Sequence, residues 1–301
     1  MAISPAETET LFQRAWQAQT AGEIEAAVAV YRQILAGTGD ASPQAWLGIG
    51  QCELERRQPQ AALAAFRRAS ALLPDSGAIR HLVAMLEGGE APARAPDDYV
   101  LWVFDGHAES FDSHLAVLGY RGPQMIAGLA AAAWPPVPAP TRTILDLGCG
   151  TGQNAPLFRP HAARLDGVDL APRMLQQSAR RGGYDHLYKA EAHAFLRQPP
   201  ARYDVILSTD VFIYIGRLDD IFMLSKQCLN PGGEILCTVE LHDGAEPVRL
   251  MPTGRFRQSD AHVRAAAAAA GFAVADSRDG TLRVEQGQAE PGRAYRLILA
   301  G

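Results

Sequence analysis

Apolar residues recur at helical intervals through the first ninety positions and gather into short runs beyond position 142. In the first part Leu11, Ala15, Ala27, Tyr31 and Ile34 are followed, 35 residues later, by Trp46, Gly50, Ala62, Phe66 and Ala69. This predicts two pairs of amphipathic helices, with Gly22-Glu-Ile-Glu and Arg57-Gln-Pro-Gln as the matching interhelix turns. A further helix, roughly Ser76 to Glu87, runs up to Gly88-Gly89. Beyond it, short apolar runs at Thr143–Leu147, Leu165–Leu170, His186–Ala190, Tyr203–Ser208 and Glu234–Leu241 read as strands. They alternate with helical segments that start near Pro172 and span Leu218–Leu229 and Ser259–Ala270. Strands alternating with helices predict an α/β doubly wound, mostly parallel sheet. The segment from Gly271-Phe272 onward and Tyr295–Leu299 are expected to complete it as an antiparallel pair.

Between the two parts, Gly88 to Pro96 is rich in Gly, Ala and Pro and reads as a linker. Residues 1–90 therefore form one helical domain, 91–98 the linker, 99–142 a helical lid and connector, and 143–301 the α/β domain. In the lid Phe104, Ala108, Phe111, Leu115 and Leu118 share one apolar face, and His107 and His114, seven apart, share a second stripe. Pro135, Pro136, Pro138 and Pro140 stiffen the approach to the first strand.

The chemistry gathers at the end of that strand. Gly148, Gly150 and Gly152 follow Leu147 at alternate positions, where a chain must bend sharply and lie against a ligand without Cβ atoms. Asp146 precedes the loop, able to hold it and to face a cationic ligand. Asp169 ends the second run, where an acid in doubly wound folds holds a ribose diol. Asp146-Leu-Gly-Cys-Gly-Thr-Gly152 and Asp169 together resemble the S-adenosylmethionine site of class I methyltransferases, whose fold is a Rossmann-like, seven-stranded sheet. The Asn230-Pro-Gly-Gly233 stretch before the fifth strand matches the same family.

That resemblance implies S-adenosylmethionine as cofactor. Asp146, Gly148, Cys149, Gly150 and Gly152 would form its loop, and Asp169 would hold the ribose. Leu170 and Met174 would cover ribose and adenine, and Glu191 with Ala192 would meet the adenine amino group. Asp210 and Phe212, past the fourth strand, would flank the methionine moiety, and Tyr214 would point to the acceptor. Glu191 stands where aspartate is more usual, and a helix-capping acid without a ligand is the other reading. Trp46, Gly50, Ala62, Phe66, Ala69 and Pro74 have the spacings of a tetratricopeptide repeat. The lid pattern resembles a bacterial family in which such repeats precede a methyltransferase. This similarity implies that the lid shapes the acceptor pocket, with His114, Tyr214 and Arg255 on the substrate side and His107 or Tyr214 as a base where one is needed. The implied partner is a peptide or protein, or a carrier-bound acceptor, docked through the repeats.

Composition narrows the alternatives. A net charge of −5, with 8 basic and 12 acidic residues in the first 98, offers no basic tract for nucleic acid. Cys52, Cys149, Cys228 and Cys237 are widely spaced, which suggests neither a disulfide framework nor a metal site and fits a reducing cytoplasm. The first ten residues show no signal pattern, and no apolar run approaches the ~20 residues of a membrane span. Two rivals remain. Gly150-Thr-Gly-Gln-Asn-Ala155 also fits a dinucleotide fingerprint, which would make the protein an NAD-dependent oxidoreductase, but Asp146 would then repel a pyrophosphate. A non-catalytic S-adenosylmethionine-binding adaptor, with repeat-mediated binding as its role, is the other.

Overall fold

The computed structural model describes residues 3–136 and 139–300, so Pro138 of the proline connector lies outside the described residues. The chain divides into two compact units. The first comprises residues 1–90 with 252–254. Its helices are α1 (Pro5–Thr20), α2 (Ile24–Thr38), α3 (Pro43–Glu55), α4 (Pro59–Leu72) and α5 (Gly77–Glu87). Prolines occupy first helical positions in α1, α3 and α4, and Ser4, Ser42 and Ser76 cap α1, α3 and α5 through their hydroxyls. Each helix packs on the next along the chain. The close approaches depend on glycine. A Cβ on Gly48 would meet the Tyr31 ring at 2.3 Å, and one on Gly50 would meet Phe66 at 2.2 Å.

The second unit carries the sheet. Its helices are α6 (Asp97–Phe104), α7 (Phe111–Val117), α8 (Gly122–Ala133), α9 (Ala155–Phe158), α10 (Pro172–Arg181), α11 (Ala192–Arg197), α12 (Asp219–Cys228) and α13 (Asp260–Ala270). The main strands are β1 (Arg142–Leu147), β2 (Ala162–Asp169), β3 (His186–Lys189), β4 (Tyr203–Ser208) and β5 (Leu229–Glu240). A short hairpin, β6 (Val248–Leu250) and β7 (Phe256–Gln258), precedes β8 (Phe272–Glu285) and β9 (Gln288–Leu299). Seven strands line up as β3-β2-β1-β4-β5-β9-β8. β1 to β5 pair in parallel, and β9 is antiparallel to both β5 and β8. Strand order reverses beside β1 and β4, and ligands of open α/β sheets bind at the strand ends there.

Both faces of the sheet are covered, so its central strands are mostly apolar. Ile126, Leu129 and Trp134 pack with Phe158 on one face, and Phe195, Phe222 and Val263 on the other. Two expectations change, while the terminal antiparallel pair forms as expected. The lid is not one helix: α6 passes into a 3-10 turn at Asp105–His107 and restarts as α7, so His107 and His114 do not share a helical stripe. Gly106, the poorest helix former in that stretch besides proline, sits in the break. Asn230-Pro-Gly-Gly233 does not precede β5 but bulges within it, since Tyr203 pairs with Leu229 and Val205 with Glu234. The terminal pair is a long hairpin closed at Gln286-Gly287, both at positive φ.

Candidate functional site

All three loop glycines have positive φ, 72°, 53° and 86° for Gly148, Gly150 and Gly152, yet they serve different ends. A Cβ on Gly148 would lie 2.2 Å from Val211 Cγ2, so this glycine lets the loop pass the tip of β4. Gly152 faces Ser178 and Tyr184, giving close packing against α10 and the turn after it. At Gly150 a Cβ would meet nothing within 4 Å, because this residue borders a cavity of about 800 Å³. That volume falls in the range of small-molecule sites, roughly 300–1,000 Å³.

The loop is pinned from β2. Gly148 and Cys149 both donate their N–H to the Val168 carbonyl, at 2.8 and 2.9 Å. Gly150 N donates to Asp169 Oδ2 at 2.8 Å, and Ala171 N donates to Oδ1 at 2.8 Å. Burial raises the Asp169 carboxyl, and these backbone N–H groups oppose the rise. Asp169, Leu170, Met174, Glu191 and Ala192 line the cavity with Gly148, Cys149 and Gly150. Glu191 also caps α11. Burial would raise its carboxyl, but hydrogen bonds from the His193 side chain and the N–H groups of His193 and Ala194 bring it down to about 2.

Three residues expected at the ligand lie elsewhere. Asp146 is wholly buried behind the loop, where it accepts from Asn154 Nδ2 at 2.9 Å and from the Tyr184 hydroxyl at 2.5 Å. Burial pushes it up to about 6. It holds the loop and does not face the cavity. Gly152 is turned toward α10 as described, and Phe212 points into the core, 5.6 Å from the Phe222 ring. Alternation after a strand does not reveal which side of a 3-10 turn faces inward, and Phe212–Tyr214 is such a turn.

The lid closes the cavity from the other side. Phe104 and Phe111 pack with Ala108 over Ala171 and Met174. Asp112 on α7 accepts from Thr151 Oγ1 at 2.6 Å and Gln153 Nε2 at 2.9 Å, and pairs with Arg181. Asp105 accepts from Arg173 N at 2.9 Å, at the start of α10. Sequence reading missed this acid latch, because Asp105 and Asp112 look like solvent-facing charges of an amphipathic helix. His107 and His114 border the cavity from exposed positions, and the His107 Nδ1–H donates to Val103 O at 3.2 Å.

Beyond β4 the wall is charged. Tyr120, Asp210, Tyr214, Arg255, Arg283 and Glu285 line it. Burial raises the Tyr214 phenol, which therefore keeps its proton at neutral pH and is a hydrogen-bond donor there, not a base. Arg255 does not stand free for an acidic ligand: its Nε lies 3.0 Å from Glu240 Oε1 and its Nη2 2.6 Å from Glu285 Oε2. Arg283, Glu240 and Glu285 had no sequence signal, since each sits in a strand where its neighbours suggest a polar, solvated face. Among the described residues no group of three His, Cys, Asp or Glu side chains is placed to hold a metal. The four cysteines are free and buried.

Comparison with known proteins decides between the readings of the glycine loop. Residues 117–275 match the family model described as "Methyltransferase domain", which takes in more than half of the chain. The chain belongs to this family. The chain is 34% identical over 122 residues to methyltransferase-like protein 27 of Homo sapiens, covering 40% of this chain and 47% of that one. It is 30% identical over 126 residues to a ubiquinone biosynthesis O-methyltransferase of Leptothrix cholodnii, covering 37% and 54%. The chain thus spans about half the length of the curated relatives it matches. Among solved structures, the 1,6-didemethyltoxoflavin-N1-methyltransferase of Burkholderia thailandensis, holding its substrate and S-adenosylhomocysteine, shares the fold. The TM-score is 0.53 at 18% identity, covering 71% of this chain and 94% of that one.

The chain's own residues fit S-adenosylmethionine. The bare Cα face of Gly150 opens into the cavity where a Cβ would intrude, and the Asp169 carboxylate, held by backbone N–H groups, lines it. Apolar Leu170 and Met174 lie beside them. Because the latch joins the lid to this loop, Asp112→Asn should weaken binding of S-adenosylhomocysteine roughly tenfold, the equivalent of about 1.4 kcal/mol. Calorimetric titration measures that loss, and hydrogen exchange should quicken across 105–117. Unchanged affinity would mean that the latch does not contribute to cofactor retention.

Proposed function

We propose that the protein is an S-adenosylmethionine-dependent methyltransferase acting on a nitrogen or oxygen of a peptide, protein or carrier-bound acceptor. In this reading the helical unit serves as a tetratricopeptide-repeat module that helps to dock the acceptor. The observation that carries the cofactor assignment is the junction of Gly150 N with Asp169 Oδ2 at the rim of the cavity. It joins the glycine loop to the ribose-binding position in one hydrogen bond. A net charge of −5 disfavours nucleic acid as acceptor, although some relatives carry tRNA in their names. The paired helices α1–α2 and α3–α4, built around Gly48 and Gly50, support the repeat reading.

When bound, the cofactor supplies a methyl group on a sulfonium, an excellent leaving group, so the chain's task is alignment and exclusion of water. Gly148 to Gly150 and Asp169 would hold the nucleoside and methionine parts, Glu191 and Ala192 the adenine. Phe104 and Phe111 of the lid keep water from the apolar end, with Phe104 edge-on to the Tyr214 ring at 5.3 Å. Tyr214 donates toward the acceptor. Incubating the full chain with methyl-labelled S-adenosylmethionine and a cell lysate tests the acceptor class. Label retained with peptide or protein supports it, and label found only in free small molecules contradicts it.

A further inference from the structure

The wall beyond β4 carries Asp210 and Glu285 with Arg255 and Arg283, and both guanidiniums are tied to carboxylates, Glu240 among them. Arg283 is almost fully buried, and all its nitrogens are engaged: Nη1 with Asp210 Oδ2 at 2.6 Å, Nε with Glu285 Oε1 at 2.6 Å, and Nη2 with Glu240. What remains is one oxygen. Asp210 Oδ1 is buried and accepts no hydrogen bond. A buried acceptor without a donor is rare and calls for a reason. Asp210 also has a positive φ of 55°, held by its N–H donating to Thr238 Oγ1 at 3.1 Å. A non-glycine residue in that conformation, at the tip of the central strand and lining the cavity, marks a site of stored backbone strain.

The topology says which side of the cavity this is. The cofactor residues come from the ends of β1, β2 and β3, whereas the partners of Asp210 come from β5 and β8 on the opposite side of β4. Asp210 therefore faces the acceptor half, and the earlier placement beside the methionine moiety gives way. We propose that Asp210 Oδ1 receives the proton of the methyl acceptor, and that the acceptor is an amine. The inference rests on the methyltransferase reading. Both guanidiniums of this wall are already paired, which leaves none for an anionic acceptor, whereas the unpartnered Asp210 oxygen attracts an ammonium. In the step itself, the acceptor enters as an ammonium, Asp210 takes one of its N–H protons, and the freed lone pair forms the bond to the methyl carbon while the electrons of the broken C–S bond stay on sulfur. The product leaves as a methylammonium. Burial supports this role by lifting the Asp210 carboxyl to about 6. Arg283 and Arg255 pull against that rise, Glu240 adds to it, and the Tyr120 hydroxyl facing the carboxyl lowers it. Tyr214 also faces it. The base is thus Asp210, not His107 or Tyr214.

The test uses the full chain, methyl-labelled S-adenosylmethionine, and three otherwise identical peptides whose only nucleophile is an amine, a hydroxyl or a carboxylate. Label should enter the amine peptide alone, as an N-methyl group. Asp210→Asn, whose asparagine tolerates positive φ, should lower its turnover about 100-fold, in the range of a lost general base, while cofactor affinity stays within about twofold. His107→Ala should retain most of the activity. Independently of turnover, carbon-13 NMR of labelled aspartates should show two carboxyls titrating near pH 6, Asp146 and Asp210, and only one of them in Asp210→Asn. A methyl ester or ether product, a fully active Asp210→Asn, or silence from all three peptides while the cofactor binds would overturn the proposal. Failure of the unaltered protein to bind S-adenosylmethionine would instead sink the reading beneath it.

Discussion

Gly148→Val should abolish measurable binding of S-adenosylmethionine, whereas Gly150→Ala should weaken it without loss of fold. Both positions have positive φ, where a β-branched side chain is a genuine outlier and alanine costs about 1–2 kcal/mol. What separates them is the surrounding space. The Cβ at position 148 would come within 2.2 Å of Val211 Cγ2, and Val211 is itself β-branched and stiff. The loop must then lift off β4, breaking the paired hydrogen bonds of Gly148 and Cys149 to Val168 and displacing Gly150 from Asp169. At 150 a methyl group projects into the cavity, where only the ligand can clash with it. Calorimetry with S-adenosylmethionine, paired with circular dichroism, distinguishes the two. Equal affinity losses in the two variants would show that the contrast drawn between these glycines is wrong.

Arg283→Met should destabilise the protein by about 3–5 kcal/mol at pH 7, because it strands Asp210 in the interior and removes one of the cations that Glu240 and Glu285 share. The direction with pH is equally specific. In the unaltered protein burial works to raise Glu285, but the hydrogen bonds and charges of Arg255 and Arg283 outweigh it and hold the carboxyl below its usual range. Its contribution to stability is therefore present above the unfolded value and fades as pH falls below it. Removing Arg283 reverses the sign for this cluster. Carboxylates left buried are raised, so they stabilise only while protonated, and that stability is lost as pH rises. Asp210, at about 6 even with Arg283 present, moves further up. Urea denaturation should show a smaller deficit at pH 5 than at pH 7. A deficit independent of pH would mean that the cost of the substitution is packing rather than stranded charge.

Much of the sheet could be read from the chain, because β1, β2 and β4 are short, largely apolar runs that end at or near glycine or acidic residues. Asp169 was legible for the same reason: strand end, loop and spacing are local properties. What failed were judgements about which way a side chain points once the strand has ended. Asp146 and Phe212 carry the expected residue types but turn inward, one to Asn154 and Tyr184, the other to Phe222. The latch of Asp112 on Thr151 and Arg181 joins positions 39 and 69 residues apart, and nothing in the lid's own periodicity encodes it. Arg283 is the clearest case. Between Leu282 and Val284 it looks like the solvated face of a strand, and it is buried where Asp210 and Glu240, from two other segments, meet it beside Glu285 of its own strand.

The most direct measurement is a pair of calorimetric titrations of the full chain, one with S-adenosylmethionine and one with NAD, repeated on Asp169→Ala. S-adenosylmethionine should bind the unaltered protein, NAD should not, and the substitution should cost at least tenfold in affinity. An Asp169→Ala protein that binds as tightly as its parent, or a parent that takes NAD and ignores S-adenosylmethionine, would contradict the account.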